Sequence, residues 1–135
     1  MAEMGQITEP LVSYALLVGR ICLATVFLVS GVHKMIWYGK AVAEFEQARV
    51  PMIGLVLPLS ILLHLVASVL LIIGRYTTEA ALALAVFTVI STLWVHSFWR
   101  MSGEEKLARS RIALANLGIV GGLLLLAITG PGRLS

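Results

Sequence analysis

Four long apolar runs separated by short polar stretches organise this chain. The first extends from about Leu11 to Ile36, the second from about Met52 to Gly74, the third from about Thr78 to Trp99, and the fourth from about Ile112 to Thr129. A helix needs about 20 mostly apolar residues to cross a bilayer, and each run is of that order. The runs are continuous rather than alternating, which excludes the strands of a membrane barrel. In lipid, every backbone group must be satisfied within the segment, so the pattern predicts helices. The expected architecture is all-α, an integral membrane four-helix bundle formed by residues 1–135 as a single membrane domain. Pro51 marks the start of the second run, Pro58 is expected to kink its first turns, and Gly130-Pro131-Gly132 ends the fourth.

The polar stretches set the expected orientation. Lys34, Lys40 and Arg49 follow the first run, and Arg100, Lys106, Arg109 and Arg111 follow the third. Only Arg75 and Arg133 fall on the other side. The positive-inside rule therefore places the basic loops in the cytoplasm and both termini on the non-cytoplasmic side. Trp37, Tyr38, Trp94, Phe98 and Trp99 form an expected interfacial belt on the basic side, with Tyr14 and Tyr76 on the other. Residues 40–50, KAVAEFEQARV, set Ala43, Phe45 and Val50 against Glu44, Glu46 and Arg49. This weak amphipathicity fits a short interfacial helix or an ordinary polar loop equally well.

Composition agrees with the pattern. The chain has 135 residues, 59% of them hydrophobic and only 13% charged, which is too apolar for a soluble surface. The net charge of +3 would bring nucleic acid into consideration in a soluble protein. Here the cations sit in membrane-flanking loops with no aromatic-interleaved patch, so no nucleic-acid partner is expected. The single cysteine, Cys22, excludes an internal disulfide and reads as a small buried apolar residue. The opening MAEMGQITEP lacks a basic n-region, and the run behind it is too long for a signal peptide. The first run is therefore expected to be a retained helix. Small residues mark expected helix contacts: Gly118, Gly121 and Gly122 in the fourth run, and Ala81, Ala85, Thr88 and Thr92 in the third.

Polar side chains within the runs are costly in lipid and each requires an account. Arg20 lies about 13 to 14 Å along the helix from Leu11. It is expected to snorkel toward the outer headgroups or to meet Glu79, the alternative being an anion or quinone-headgroup contact. His33 and His96 come at matched depth on two helices running the same way, the arrangement of haem ligands, although haem b is not expected. No zinc ligand set is apparent. His64 lies in the middle of the second run and must find a partner, with Ser60, Ser68, Ser91 and Thr92 in range; it is a candidate proton relay or quinone ligand. Asn116 opens the fourth run and is expected to bond across to His96. Asp is absent and the glutamates lie in tails and loops, so no acid–base pair for hydrolysis is visible.

Several of these residues resemble a known family. Ser30-Gly31-Val32-His33-Lys34 after Arg20, LLIIGRYT at 70–77, His96 within TLWVHSFW, and Asn116-Leu117 with Gly121-Gly122 before GPGRLS are similar, in order and spacing, to DoxX-type membrane proteins. The resemblance runs from about Arg20 to the end. Many relatives carry a glutamate where this chain has His64. The family is one of small four-helix proteins linked to oxidoreductase systems. One relative is similar to a subunit of a thiosulfate:quinone oxidoreductase, and others are associated with complexes that handle oxidative stress or thiol oxidants.

The resemblance implies a non-catalytic accessory subunit in a bacterial-type inner membrane. It would anchor larger redox-complex partners or form a homo-oligomer, with no intrinsic cofactor beyond a quinone. Arg20, Lys34, His64, His96 and Asn116 are the expected quinone-lining residues. The alternative is a purely structural subunit without a ligand. A small transporter is disfavoured because paired broken helices are missing.

Overall fold

The computed structural model describes residues 2–94 and 102–134, with residues 2–8 by their backbone alone. The chain forms α1 (Ala2–Ile36), α2 (Tyr38–Gln47), α3 (Ile53–Ile73), α4 (Thr77–Trp94) and α5 (Gly103–Thr129). Four helices are long and apolar enough to span a membrane: Glu9–Ile36, Ile53–Ile73, Thr77–Trp94 and Gly103–Thr129. No strand occurs among the described residues. The protein is therefore an all-helical integral membrane bundle, as the hydropathy pattern predicts.

Three helices differ from the expected bounds. Helix α1 begins at Ala2 and passes Pro10 without a break. Helix α5 begins at Gly103, nine residues before the apolar run at Ile112, so Lys106, Arg109 and Arg111 ride on helix rather than loop. Glu104 and Glu105 occupy its first turn, where carboxylates complement the positive end of the helix dipole. The 38–47 stretch is a helix that buries Ala41 and Phe45, which resolves the choice left open between helix and loop. The end of the third run, from residue 95 to Trp99, lies outside the described residues.

The connections follow from backbone chemistry. Gly74 ends α3 with φ 75°, and its N–H and that of Arg75 both donate to the Leu70 carbonyl. Glycine takes this left-handed conformation at no Cβ cost. Arg49 and Met52 both adopt positive φ in the turn from α2 to α3, flanking Pro51. Gly130 closes α5 in the same left-handed φ range as Gly74.

Packing is uneven. Helix α1 packs mainly on α3, and α4 on α5; α3 joins the two pairs, while α1 and α5 meet only lightly. One core cluster contains Ala24, Phe27, Ala67, Leu71, Ala81, Leu84, Ala85 and Leu123. A smaller cluster at the basic end joins Ala41 and Phe45 of α2 to Leu57 and Ile61 of α3. The alanine face of α4 is buried as the small-residue pattern anticipates. Gly122 contacts Leu23 of α1, but a Cβ on Gly118 or Gly121 would meet nothing, so those glycines face outward. Cys22 is exposed on the apolar exterior rather than buried, because the inward faces of its turn belong to Arg20 and Ala24.

Candidate functional site

The two helix pairs leave a cavity of about 480 Å³ at the basic end, between the two core clusters. Helix α1 contributes Phe27, Ser30, His33 and Lys34; α3 contributes His64; α4 contributes Phe87, Thr88 and Ser91; α5 contributes Asn116. Trp37 and Glu44, from the start of α2 and along it, form its roof. Val26 and Val29 on α1 and Ile112 on α5 also line it while being substantially exposed. They place its mouth at the lightly packed seam between α1 and α5. A volume of this order suits a small organic ligand or the head of a larger one.

His64 is nearly fully buried, with its ring between two phenyl groups. The Phe27 centroid lies 5.5 Å away, and Phe87 meets it edge-on at 4.7 Å. Lys34 reaches in from α1, with Nζ 3.5 Å from His64 Nδ1 and 5.4 Å from the centre of the Phe87 ring. With Lys34 charged, its ammonium has only donors and His64 Nδ1 is the acceptor of this contact. The ammonium also rests against the negative face of Phe87. Among the described residues, no carboxylate forms a salt bridge with Lys34. Three of the four partners expected for His64, namely Ser60, Ser68 and Thr92, are engaged elsewhere, while Ser91 lines the same cavity. Ser60 donates to the Val56 carbonyl and Ser68 to the His64 backbone carbonyl, the local bonds open to a helical serine.

Asn116 Nδ2 donates to Thr92 Oγ1 at 2.9 Å, joining α5 to α4 beside the cavity. Thr92 is thus its partner among the described residues; His96, the partner expected from sequence, lies outside them. Asn116→Leu is expected to cost about 0.6 to 1.7 kcal/mol in a denaturation titration in micelles, the range measured for interhelical hydrogen bonds in a membrane protein. A double-mutant cycle with Thr92→Val isolates that energy.

Glu44 receives a hydrogen bond from Arg109 at 3.2 Å, tying α2 to α5 above the cavity. Trp94 Nε1 donates to the Ala48 carbonyl at 2.9 Å and fixes the other end of α2 to α4. His33 sits at the rim, its ring 4.6 Å from that of Trp37. Its expected haem counterpart, His96, is not among the described residues.

The structure thus brings Lys34, His64 and Asn116 around one cavity and sets Arg20 apart. Fourteen residues separate Arg20 from Lys34, about 21 Å along α1. Arg20 does not snorkel: it is 1% exposed and donates through Nη2 to the Leu134 carbonyl, while Glu79 stays exposed. Sequence reasoning missed Phe27, Phe87, Trp37 and Glu44. The aromatics are indistinguishable from core residues until His64 is placed between two of them. Glu44 carried one usable signal, its position beside the buried Phe45 on a short amphipathic stretch.

The cavity's donor set is compatible with a quinone head. The lining combines the apolar Phe27 and Phe87 with Lys34 Nζ, a donor that can reach a carbonyl oxygen. Among the described residues, no group of three or more His, Cys, Asp or Glu side chains forms a metal site.

Comparison with known proteins agrees with this architecture. The sequence model of the DoxX family matches residues 15–97. The chain is similar to the inner membrane protein YqjF of Escherichia coli K12, at 36% identity over 88% of this chain and 86% of the relative. It is also similar to the inner membrane protein YphA of the same organism, at 29% identity over 89% of this chain and 86% of that relative. No solved structure matches it. Four spans and two inner-membrane relatives place the protein in a bacterial-type inner membrane.

Proposed function

This chain belongs to the DoxX family, and on that premise we propose that it is an accessory, anchoring membrane subunit of a quinone-linked oxidoreductase or electron-transfer complex, with the cavity around Lys34 and His64 serving as a quinone site. One observation carries the reading. A cavity opens on the α1–α5 seam and brings Lys34, which touches His64 and the Phe87 ring, together with Phe27, Asn116 and Glu44.

A quinone, when bound, supplies two-electron, two-proton chemistry. The chain's own residues hold and orient it. Lys34 Nζ would donate to one carbonyl oxygen, and its contact with His64 Nδ1 holds the ammonium at the cavity. Phe27 and Phe87 flank His64 and make the cavity wall beside it apolar, and α2 closes the aqueous side. A lateral mouth suits a ligand that travels in the bilayer. Electron transfer to or from such a ligand falls to a partner subunit.

A second reading, a structural subunit without a ligand, draws on the outward face of α5. Gly118 and Gly121 lie open there among exposed Leu114, Leu117, Leu125 and Ile128. Such a face lets another helix approach closely.

Gentle-detergent purification followed by native mass measurement and solvent extraction separates the readings. The proposal expects an assembly larger than a multiple of 14.6 kDa alone explains, with about one quinone per copy. A homo-oligomer or monomer without quinone contradicts it.

A further inference from the structure

The end of the bundle that carries the termini holds a second polar site that the quinone reading does not use. Arg20 is fully enclosed, yet among the described residues its Nε and Nη1 have no hydrogen-bond acceptor. Among the described residues, its bond runs from Nη2 to the Leu134 carbonyl. None of the ion pairs among the described residues includes it. A guanidinium remains charged in proteins, so burial does not neutralise it. A buried charge without a countercharge is strongly destabilising, and proteins rarely keep one. Thr77 Oγ1, at the same end of the bundle, is also buried and without a partner.

The segment that covers Arg20 is held as a strap. Gly130 and Gly132 take φ of 77° and 81°, reversing the chain after α5. Gly132 lies against α1, where a Cβ would stand 3.0 Å from Leu16 Cδ1. Arg133 then pairs with Glu9 at 2.5 Å. A pocket of about 410 Å³ opens beside the strap, lined by Glu9, Pro10, Ser13, Tyr14, Arg133 and Leu134. It therefore reaches the residue whose carbonyl caps Arg20.

We propose that Arg20 is the base of an oxyanion site closed by the C-terminal strap. The free Nε–H and Nη1–H groups supply the donors for a phosphate-type ligand, and the pocket at Leu134 is its port. The Leu134 carbonyl serves as the closing contact, and movement of the strap exposes the guanidinium. Free phosphate and the phosphate of a lipid headgroup share this chemistry.

The test uses the full chain in nanodiscs. Unfolding midpoints are measured in phosphatidylcholine with inorganic phosphate against chloride at equal ionic strength, and again in phosphatidylglycerol without phosphate. Lipid retained after delipidation is identified by native mass. The site predicts a saturable rise in midpoint that is lost in Arg20→Gln. A rise with phosphate assigns a free anion; a rise only in phosphatidylglycerol, with that lipid retained, assigns a headgroup. Gly132→Val forces a side chain onto Leu16 at positive φ, lifts the strap from Arg20 and is expected to tighten half-saturation at least tenfold with Arg20 intact. That variant keeps the proposal testable if Arg20→Gln does not fold. No saturable effect of either probe on the natural chain overturns the site, as does an equal effect in Arg20→Gln or an unchanged half-saturation in Gly132→Val.

Discussion

Gly31→Leu is expected to separate α1 from α3 and to remove the folded protein from mild detergent. Gly31 is buried at the main helix–helix contact of the bundle, and a Cβ there would stand 3.1 Å from both His64 Cβ and Leu65 Cδ2. Leu65 can rotate away. His64 Cβ is fixed by its own backbone, so α3 itself must shift. Overpacking of this kind costs about 1 to 3 kcal/mol in well-packed cores, and the leucine side chain beyond the Cβ adds further overlap. The damage also falls on the site, since His64 is the residue displaced. The control is Gly121→Ala, where a Cβ meets nothing and helix propensity improves. Denaturation titrations in micelles should show a large loss for Gly31→Leu and no loss for Gly121→Ala. Equal behaviour of the two would contradict the close approach of α1 and α3.

Lys34→Met is expected to lower quinone binding by about 10- to 100-fold while leaving the bundle folded. A hydrogen bond to a charged donor contributes about 1.5 to 3 kcal/mol, and 1.4 kcal/mol corresponds to tenfold in affinity. Methionine keeps the length of the side chain and its contact with Phe87 without the ammonium. Because lysine is costly at membrane depth, its replacement by an apolar chain should not destabilise the fold. His64→Leu is expected to act in the same direction, since it removes the acceptor that orients Lys34. The double variant should lose little beyond the single ones if both act through the same ligand. Loss of binding accompanied by loss of fold would instead make these residues part of the packing.

The chain announces its membrane helices openly and its cavity only in part. Continuous apolar runs leave little choice but helix, and each of the four described spanning helices overlaps one of those runs. The polar turns at the start of α5 read as loop because Glu104 to Arg111 are dense in charge, two acids followed by three bases. Outside the bilayer such residues keep the helical hydrogen bonds and simply face water. Lys34, His64 and Asn116 stood out because polar groups at membrane depth are few. Their mutual arrangement was not legible, since Lys34 meets His64 across 30 residues and Asn116 meets Thr92 across 24. The burial of Arg20 was hidden for the same reason in stronger form. Its partner among the described residues, Leu134, lies 114 residues away on a strap that two glycines fold back over α1.

The central claim is that the cavity at Lys34 and His64 is a quinone site, and a direct titration tests it. A short-tailed benzoquinone is added to the protein in nanodiscs while tryptophan fluorescence is followed, because Trp37 lines the cavity and quinones quench indole emission. The account predicts saturable quenching in the natural chain and a shift of at least tenfold to weaker binding in Lys34→Met. Quenching that rises linearly and identically in both proteins, as partitioning into lipid alone would give, contradicts it.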